Sequence, residues 1–218
     1  MASVRDVVHD ALLARLLAGH YTHEDSLVPQ ALSEEFEVSR TPVREALGLL
    51  ERDGLLVSTS RGFMIRKRPD EEMLEIFEVR GILESNAAHA AATRATAIDR
   101  ARLAELSERA HATCDPKEKR RLFNLFHDCM LDAAHNATVS SLVTTLSAQI
   151  KLSAPWKTDE SDEGLARSLA EHDAILEAIL AGDADLARAR MLEHLAHDRD
   201  NRISQLVAQV HAQTNAAG

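Results

Sequence analysis

The chain has 218 residues, 45% of them apolar and 28% charged, with a formal net charge of −10. That length accommodates one large domain, or a small one with a medium one. Only 3% of the residues are aromatic, and the dominance of Ala and Leu favours helices packed on helices over a β-rich fold. No apolar run approaches the roughly 18 residues that a membrane helix needs, and the opening MASVRDVVHDALLARLL is amphipathic and holds acids, unlike a secretion leader. Cys114 and Cys129 are too few for a disulfide framework, so reduced thiols in a cytoplasm are expected.

In chain order, Val4 to Ala18 is predicted as an amphipathic helix, with Val4, Val7, Val8, Ala11, Leu12, Arg15 and Leu16 near helical spacing. GHYTHEDS breaks it, and Pro29 to Phe36 forms a short second helix with Leu32 and Phe36 on one face. A third helix runs from Arg40 to Arg52, carries Val43, Ala46, Leu47 and Leu50 on one side, and stops at Asp53-Gly54. LLVST and GFMIRK then alternate around Ser60-Arg61-Gly62 as a β-hairpin. Three short helices and a hairpin have the element order of a winged helix-turn-helix, a unit that lays its third helix in a major groove.

Lys67-Arg68-Pro69-Asp70 marks a boundary, giving domains over 1–68 and 69–218. Beyond it only helices are predicted, over about 70–95, 99–113, 117–134, 138–153, 165–181 and 183–212. The fold class is therefore mainly α: a winged helix-turn-helix followed by an all-helical bundle.

Charge is unevenly distributed. Residues 1–68 hold 9 basic and 10 acidic side chains, so the remainder holds 25 − 9 = 16 and 35 − 10 = 25, a net of −9. Residues 39–68 alone carry 7 basic and 3 acidic groups, a net of +4. A local positive field on an acidic chain is the footprint of a nucleic-acid contact. Within it, SRTPVREAL places Arg40 and Arg44 at the start of a helix, where exposed backbone N–H groups favour negative charge. Pro42 costs little in a first turn, and Ser39 or Thr41 can cap the helix. The two arginines then project opposite Val43 and Leu47, where a recognition helix meets bases and phosphates.

LSEEFEVSRTPVREALGLLERDGLL, from Leu32 to Leu56, and the Arg61-Gly62 wing resemble the GntR family of bacterial transcription regulators. The resemblance implies that Arg40 and Arg44 contact bases and phosphates, that Ser39 and Thr41 touch phosphates, and that Gly62 lies at a wing tip in the minor groove. Gln30 stands where family members often carry an arginine that contacts DNA. An operator-binding homodimer with a palindromic site follows from the same resemblance.

In the second part, Arg80 and Glu84 interrupt the apolar stripe Met73, Phe77, Ala87 and Ala91, and His172 interrupts Leu165, Leu169, Leu176 and Ile179. Buried polar groups need a partner or a ligand. Arg80 and Glu84 read equally as an internal i,i+4 salt bridge or as an anion site, and His172 as a hydrogen-bonded core residue or a ligand. VRGILE, Phe126-His127, EHDAILEAILAGD and MLEHL resemble, in that order, the FCD ligand-binding domain of FadR-like regulators. That resemblance implies a divalent metal such as Zn²⁺ or Ni²⁺ on His127, His172 and His194. The family's Asp or Asn ligand falls on Phe123, which leaves neighbouring Asn124 as the fourth ligand. His194 lies with Ala187 and Met191, off the stripe Leu192, Ala196, Ile203, Val207 and Val210, so the last helix needs two buried faces. The implied effector is a small organic acid, held by the metal and Arg80, whose binding relieves repression. The competing readings are a metal-free helical domain serving dimerisation or ligand binding, and a helical metalloenzyme, for which no HExxH motif or nucleophile–base set is present.

Overall fold

The computed structural model describes residues 3–153 and 161–216, with side chains up to Ser204. Among them are nine helices and one two-stranded sheet. The chain divides into two compact units, Met1–Pro69 together with Thr145–Pro155, and Asp70–Thr144 together with Trp156–Gly218.

In the first unit, α1 (Val4–Leu17) is capped by Ser3, whose hydroxyl accepts from the Asp6 N–H while the Asp6 carboxylate accepts from the Ser3 N–H. Its buried residues are Val8, Leu12 and Leu16, one row at i, i+4 and i+8. Val4 and Val7, expected on that face, are exposed, because the core ends at Val8. α2 (Pro29–Glu35) and α3 (Arg40–Arg52) follow, and Val43, Ala46, Leu47 and Leu50 of α3 are wholly buried in the same core as the α1 row. Gly54, at φ +71, ends α3 in the left-handed conformation that glycine adopts most readily. α7 (Ala137–Leu152) adds Ala148 and Leu152 to this core, and the Gln149 amide donates to the Asp53 carbonyl at 2.7 Å.

The hairpin of β1 (Leu56–Thr59) and β2 (Gly62–Ile65) pairs Thr59 with Gly62 across its tip. Its outer edge is stitched to Leu27 by two backbone bonds with Phe63, of 2.7 and 3.0 Å, and the Ser26 hydroxyl donates to the Arg61 carbonyl. Gly62 has φ +133, and a Cβ there would stand 2.5 Å from the Leu27 carbonyl oxygen. Gly62 is thus required by the fold whatever it touches outside. Gly62→Ala is expected to cost about 1–3 kcal/mol of unfolding free energy, measured by denaturant titration.

The second unit is all-helical: α4 (Asp70–Arg94), α5 (Ala97–Ala112), α6 (Pro116–Ala133), α8 (Asp162–Ala181) and α9 (Ala184–Ala216), with the first turns of α7. Starts are capped by side chains: Thr96 with Asp99 for α5, Asp115 for α6 and Ser161 for α8. Gly182, at φ +74, ends α8. The core gathers Ala87, Ala88 and Ala91 of α4, Phe126 and Met130 of α6, Ile175 and Ile179 of α8, and Ala187 and Met191 of α9. Small residues along α4 let neighbouring backbones approach closely.

One expectation needs correction here. The buried face of α9 is the one bearing Ala187, Met191, His194 and Leu195, whereas Leu192 and Ile203 of the expected stripe are exposed. The core-facing side of α9 is therefore the row of Ala187, Met191, His194 and Leu195, which packs against α4 and α8. The side chains of Val207 and Val210 lie outside the described residues. No described helix is long and apolar enough to cross a membrane.

Candidate DNA-reading surface and metal centre

Burial of the α3 apolar row in the first core leaves the opposite face in water. Ser39, Arg40, Thr41 and Arg44 are all exposed there. Ser39 holds the N-cap position by its backbone, but its hydroxyl makes no capping bond. The first N–H groups of α3 thus lack a side-chain acceptor, next to two cations with no hydrogen-bond or ion-pair partner among the described residues. Free N–H groups and arginines at one helix end make an anion-accepting surface. Gln30 is exposed on α2 and its amide donates to Glu34, one turn on. Arg61 is exposed at the hairpin tip, beside Gly62.

In the second unit, α6, α8 and α9 bring His127, His172 and His194 together in the interior, with their candidate ligand nitrogens all within 4.8 Å of one another. Each ring is oriented through Nδ1. His127 Nδ1 lies 2.6 Å from Glu84 Oε2, His194 Nδ1 lies 2.7 Å from Glu171 Oε2, and His172 Nδ1 lies 2.6 Å from the Ser168 carbonyl. Oxygen acceptors at Nδ1 place the proton of a neutral ring there, leaving the Nε2 lone pair free. The Nε2 atoms of His127 and His194 are 3.2 Å apart, and His172 Nε2 is buried without a hydrogen-bond partner. Three inward lone pairs with no proton to share repel one another, and a cation removes that conflict. Two nitrogens on a tetrahedral Zn²⁺ stand about 3.4 Å apart.

The surroundings enforce the neutral state of His172. Burial pushes its pKa well below the usual range, and the Arg120 charge, with His194 or His127 whenever either is protonated, adds to this against the Ser168 hydrogen bond. Phe123 stacks on it, with centroids 4.6 Å apart and planes 12° apart, and Phe126 meets its edge at 5.1 Å. Glu84 is 0% exposed and both its oxygens are engaged, one by Arg80 Nε and the other by His127. Burial would raise the Glu84 carboxyl, but the Arg80 guanidinium and the His127 ring prevail and hold it at about 2. Burial likewise opposes the Arg80 charge, and Glu84, Asp198 and Asp128 outweigh it, so the Arg80 pKa is raised.

Of the predicted residues, the fold gathers the three histidines and links them to Arg80 through Glu84. Asn124 is not among them: it is exposed on α6, because three residues before His127 the helix has turned it towards solvent, while Phe123 takes the inward place. Glu84 is engaged in a chain from Arg80 to His127, which is the salt-bridge alternative for that pair. Glu171 and Ser168 are the orienting groups missed by reading along the sequence. Glu171 precedes His172 and bridges to His194 and to exposed His197 on α9, a relation that only helix packing creates.

The sign of Glu84 titration follows from its lowered pKa. Relative to an ordinary value of 4.5, its ionised form stabilises the fold fully above that pH, and this contribution is lost as pH falls towards about 2. Metal-free wild type is expected to lose stability across that interval, with a flatter acid limb in Glu84→Gln, in denaturation midpoints measured against pH.

A winged helix-turn-helix with free cations at its third helix, joined in one chain to a helical unit with a polar interior site, defines a ligand-responsive DNA-binding transcriptional regulator rather than an enzyme. Residues 5–63 match the family of bacterial regulatory proteins, gntR family, and residues 75–197 match the FCD domain; the chain belongs to the GntR family and carries an FCD domain. It is 30% identical to the Uxu operon transcriptional regulator of Escherichia coli (strain K12), over 80% of this chain and 77% of that protein. To the uncharacterized HTH-type transcriptional regulator YdhC of Bacillus subtilis (strain 168) it is 28% identical, over 87% of each chain. The putative L-lactate dehydrogenase operon regulatory protein of E. coli is 29% identical over 76% of this chain and 72% of its own length. Among solved structures, E. coli McbR/YncC has the same fold, with a TM-score of 0.79 at 24% identity over 94% of this chain and all of that one (100%).

Proposed function

We propose that this regulator acts in the cytoplasm as a homodimer on a palindromic operator, through Ser39, Arg40, Thr41, Arg44, Gln30 and the Arg61-Gly62 wing. We assign repression to the ligand-free state, relieved by a small organic acid bound in the FCD domain. His127, His172 and His194 hold a divalent metal, Zn²⁺ or Ni²⁺, which supplies a Lewis-acid anchor for a carboxylate oxygen. The observation that carries this reading is the orphaned Nε2 of buried His172, facing two imidazoles whose Nδ1 atoms are already engaged. A small acid as effector fits a site with Arg80 at its edge, and a relative named for an L-lactate dehydrogenase operon is consistent with it. Glu84 holds Arg80 and orients His127 at once, so a ligand drawing on Arg80 also acts on the histidine cluster. Such a ligand shifts the regulator only by its differential affinity for the DNA-competent and DNA-released states. Elemental analysis of untagged protein tests the centre: stoichiometric transition metal is expected, and metal-free protein after growth in replete medium overturns it.

A further inference from the structure

α3 keeps a glycine in its interior that nothing inside the chain calls for. Gly48 lies one turn past Arg44 and one turn before Arg52, the last residue of the helix. Glycine weakens a helix interior more than any residue except proline, because it has the most backbone freedom to lose. Two things commonly require it: a left-handed backbone or a neighbour too close for a side chain. Neither applies. Gly48 is absent from the residues of positive φ, and a Cβ built on it meets no atom of the described residues within 4 Å. Alanine therefore fits here and holds the helix better, so the open space at Gly48 serves something outside the fold.

Its surroundings identify that partner. Gly48 looks away from the buried row Val43, Ala46, Leu47 and Leu50, and exposed Thr41, Arg44, Glu45 and Arg52 surround it at i−7, i−4, i−3 and i+4. Glu45, the one acid among them, stands near enough to Arg5 of α1 to favour that charge. Arg52 has no hydrogen-bond or ion-pair partner among the described residues. Bare helix backbone is thus flanked by two guanidiniums on the outward face. A recognition helix meets base edges with its N-terminal residues, in a major groove about 8.5 Å deep. The rise of about 1.5 Å per residue sets Gly48 about 12 Å further along the axis than Arg40. With its first turns at the base edges, the helix therefore carries Gly48 at the lip of the groove, where a sugar–phosphate strand passes. We propose that Gly48 is the seat of that strand and Arg52 a phosphate contact beside it, so that the missing side chain sets how deeply α3 enters the groove. This rests on the reading of α3 as the DNA-facing helix, and adds two residues to it.

Full-length variants and a duplex selected from random sequence by the wild-type protein test the assignment. Gly48→Ala is expected to raise the folding equilibrium constant about fivefold, and yet to weaken binding of the selected duplex about tenfold. Gly48→Leu fills more of the same space and is expected to weaken it about 100-fold, with circular dichroism and sedimentation as in wild type. Stability and affinity moving in opposite directions separate a reserved surface from a damaged fold. Arg52→Ala is expected to weaken selected and random duplexes alike and to lower the salt slope by about 1; an unchanged slope removes Arg52 from the contact. Wild-type affinity in both Gly48 variants overturns the seat, as does a loss that comes with a changed oligomeric state, which gives this face to a second copy instead. Arg40→Ala and Arg44→Ala locate the failure. If they also bind normally, the DNA-facing reading of α3 falls too; if they lose affinity, the seat alone is wrong.

Discussion

His172→Ala is expected to weaken metal binding by at least about 100-fold, the upper end of what outer-shell changes alone produce. His172 supplies a buried ring nitrogen with no hydrogen-bond partner, and burial pushes its pKa well below the usual range, favouring the neutral form that a metal needs. Glu171→Gln and Glu84→Gln remove no ligand but loosen the orientation and lower the basicity of His194 and His127, so roughly 10–100-fold losses are expected from each. Competition against a chromophoric chelator measures all three variants on one scale. A chain with intact helicity but undiminished metal in His172→Ala would falsify the three-histidine centre. The metal-free proteins separate binding from folding. There His172→Ala carries only the cost of the space left against Phe123 and Phe126, whereas Glu84→Gln also strips the buried Arg80 of its countercharge.

Arg44→Ala is expected to cost about 1–3 kcal/mol of operator affinity if the guanidinium reads a base. Arg40→Ala, nearer the helix start, is expected to weaken specific and non-specific DNA alike if it meets a phosphate, and to lower the salt slope by about 1. Neither side chain has an intramolecular hydrogen-bond or ion-pair partner among the described residues, so substitution leaves no buried group unpaired and folding stability should hold. Fluorescence anisotropy with the cognate operator, repeated over a salt series, distinguishes the two roles. The surrounding charge amplifies the effect: the +4 of residues 39–68 stands against −9 over residues 69–218, so the contact has little help from elsewhere on the chain. Unchanged affinity in both variants removes this helix end from the DNA-reading surface.

The elements were legible because their signals are local. The stop at Asp53-Gly54 and the Ser60-Arg61-Gly62 tip are written in residues adjacent in the chain, whereas the caps at Thr96 and Ser161 start α5 and α8 two and three residues before the expected 99 and 165. The three histidines were legible only through the order of short motifs resembling a known domain. What periodicity misjudged was which face of α9 turns inward. Two apolar rows compete on that helix, and the one holding Ala187, Met191 and His194 is the one buried where α9 packs on α4 and α8. The orienting carboxylates escaped for a related reason. Glu171 looks like any polar residue on an amphipathic helix until α9 brings His194 and His197 to its two oxygens. Asn124 shows the angular precision involved, since one residue's displacement from Phe123 is a 100° turn and decides between the interior and water.

The wing gains something from being sewn at its edge. A two-stranded ribbon standing alone is marginally stable in water, yet here Leu27 lies against Phe63 as a partial third strand and Ser26 holds the Arg61 carbonyl. The tip is consequently shaped before any encounter. Whatever surface it meets, association need not freeze a floppy loop, which would forfeit about 1–2 kcal/mol for each backbone residue ordered. Rigidity of this origin favours sharp discrimination over accommodation: a groove of the wrong width meets an Arg61 backbone already held in place.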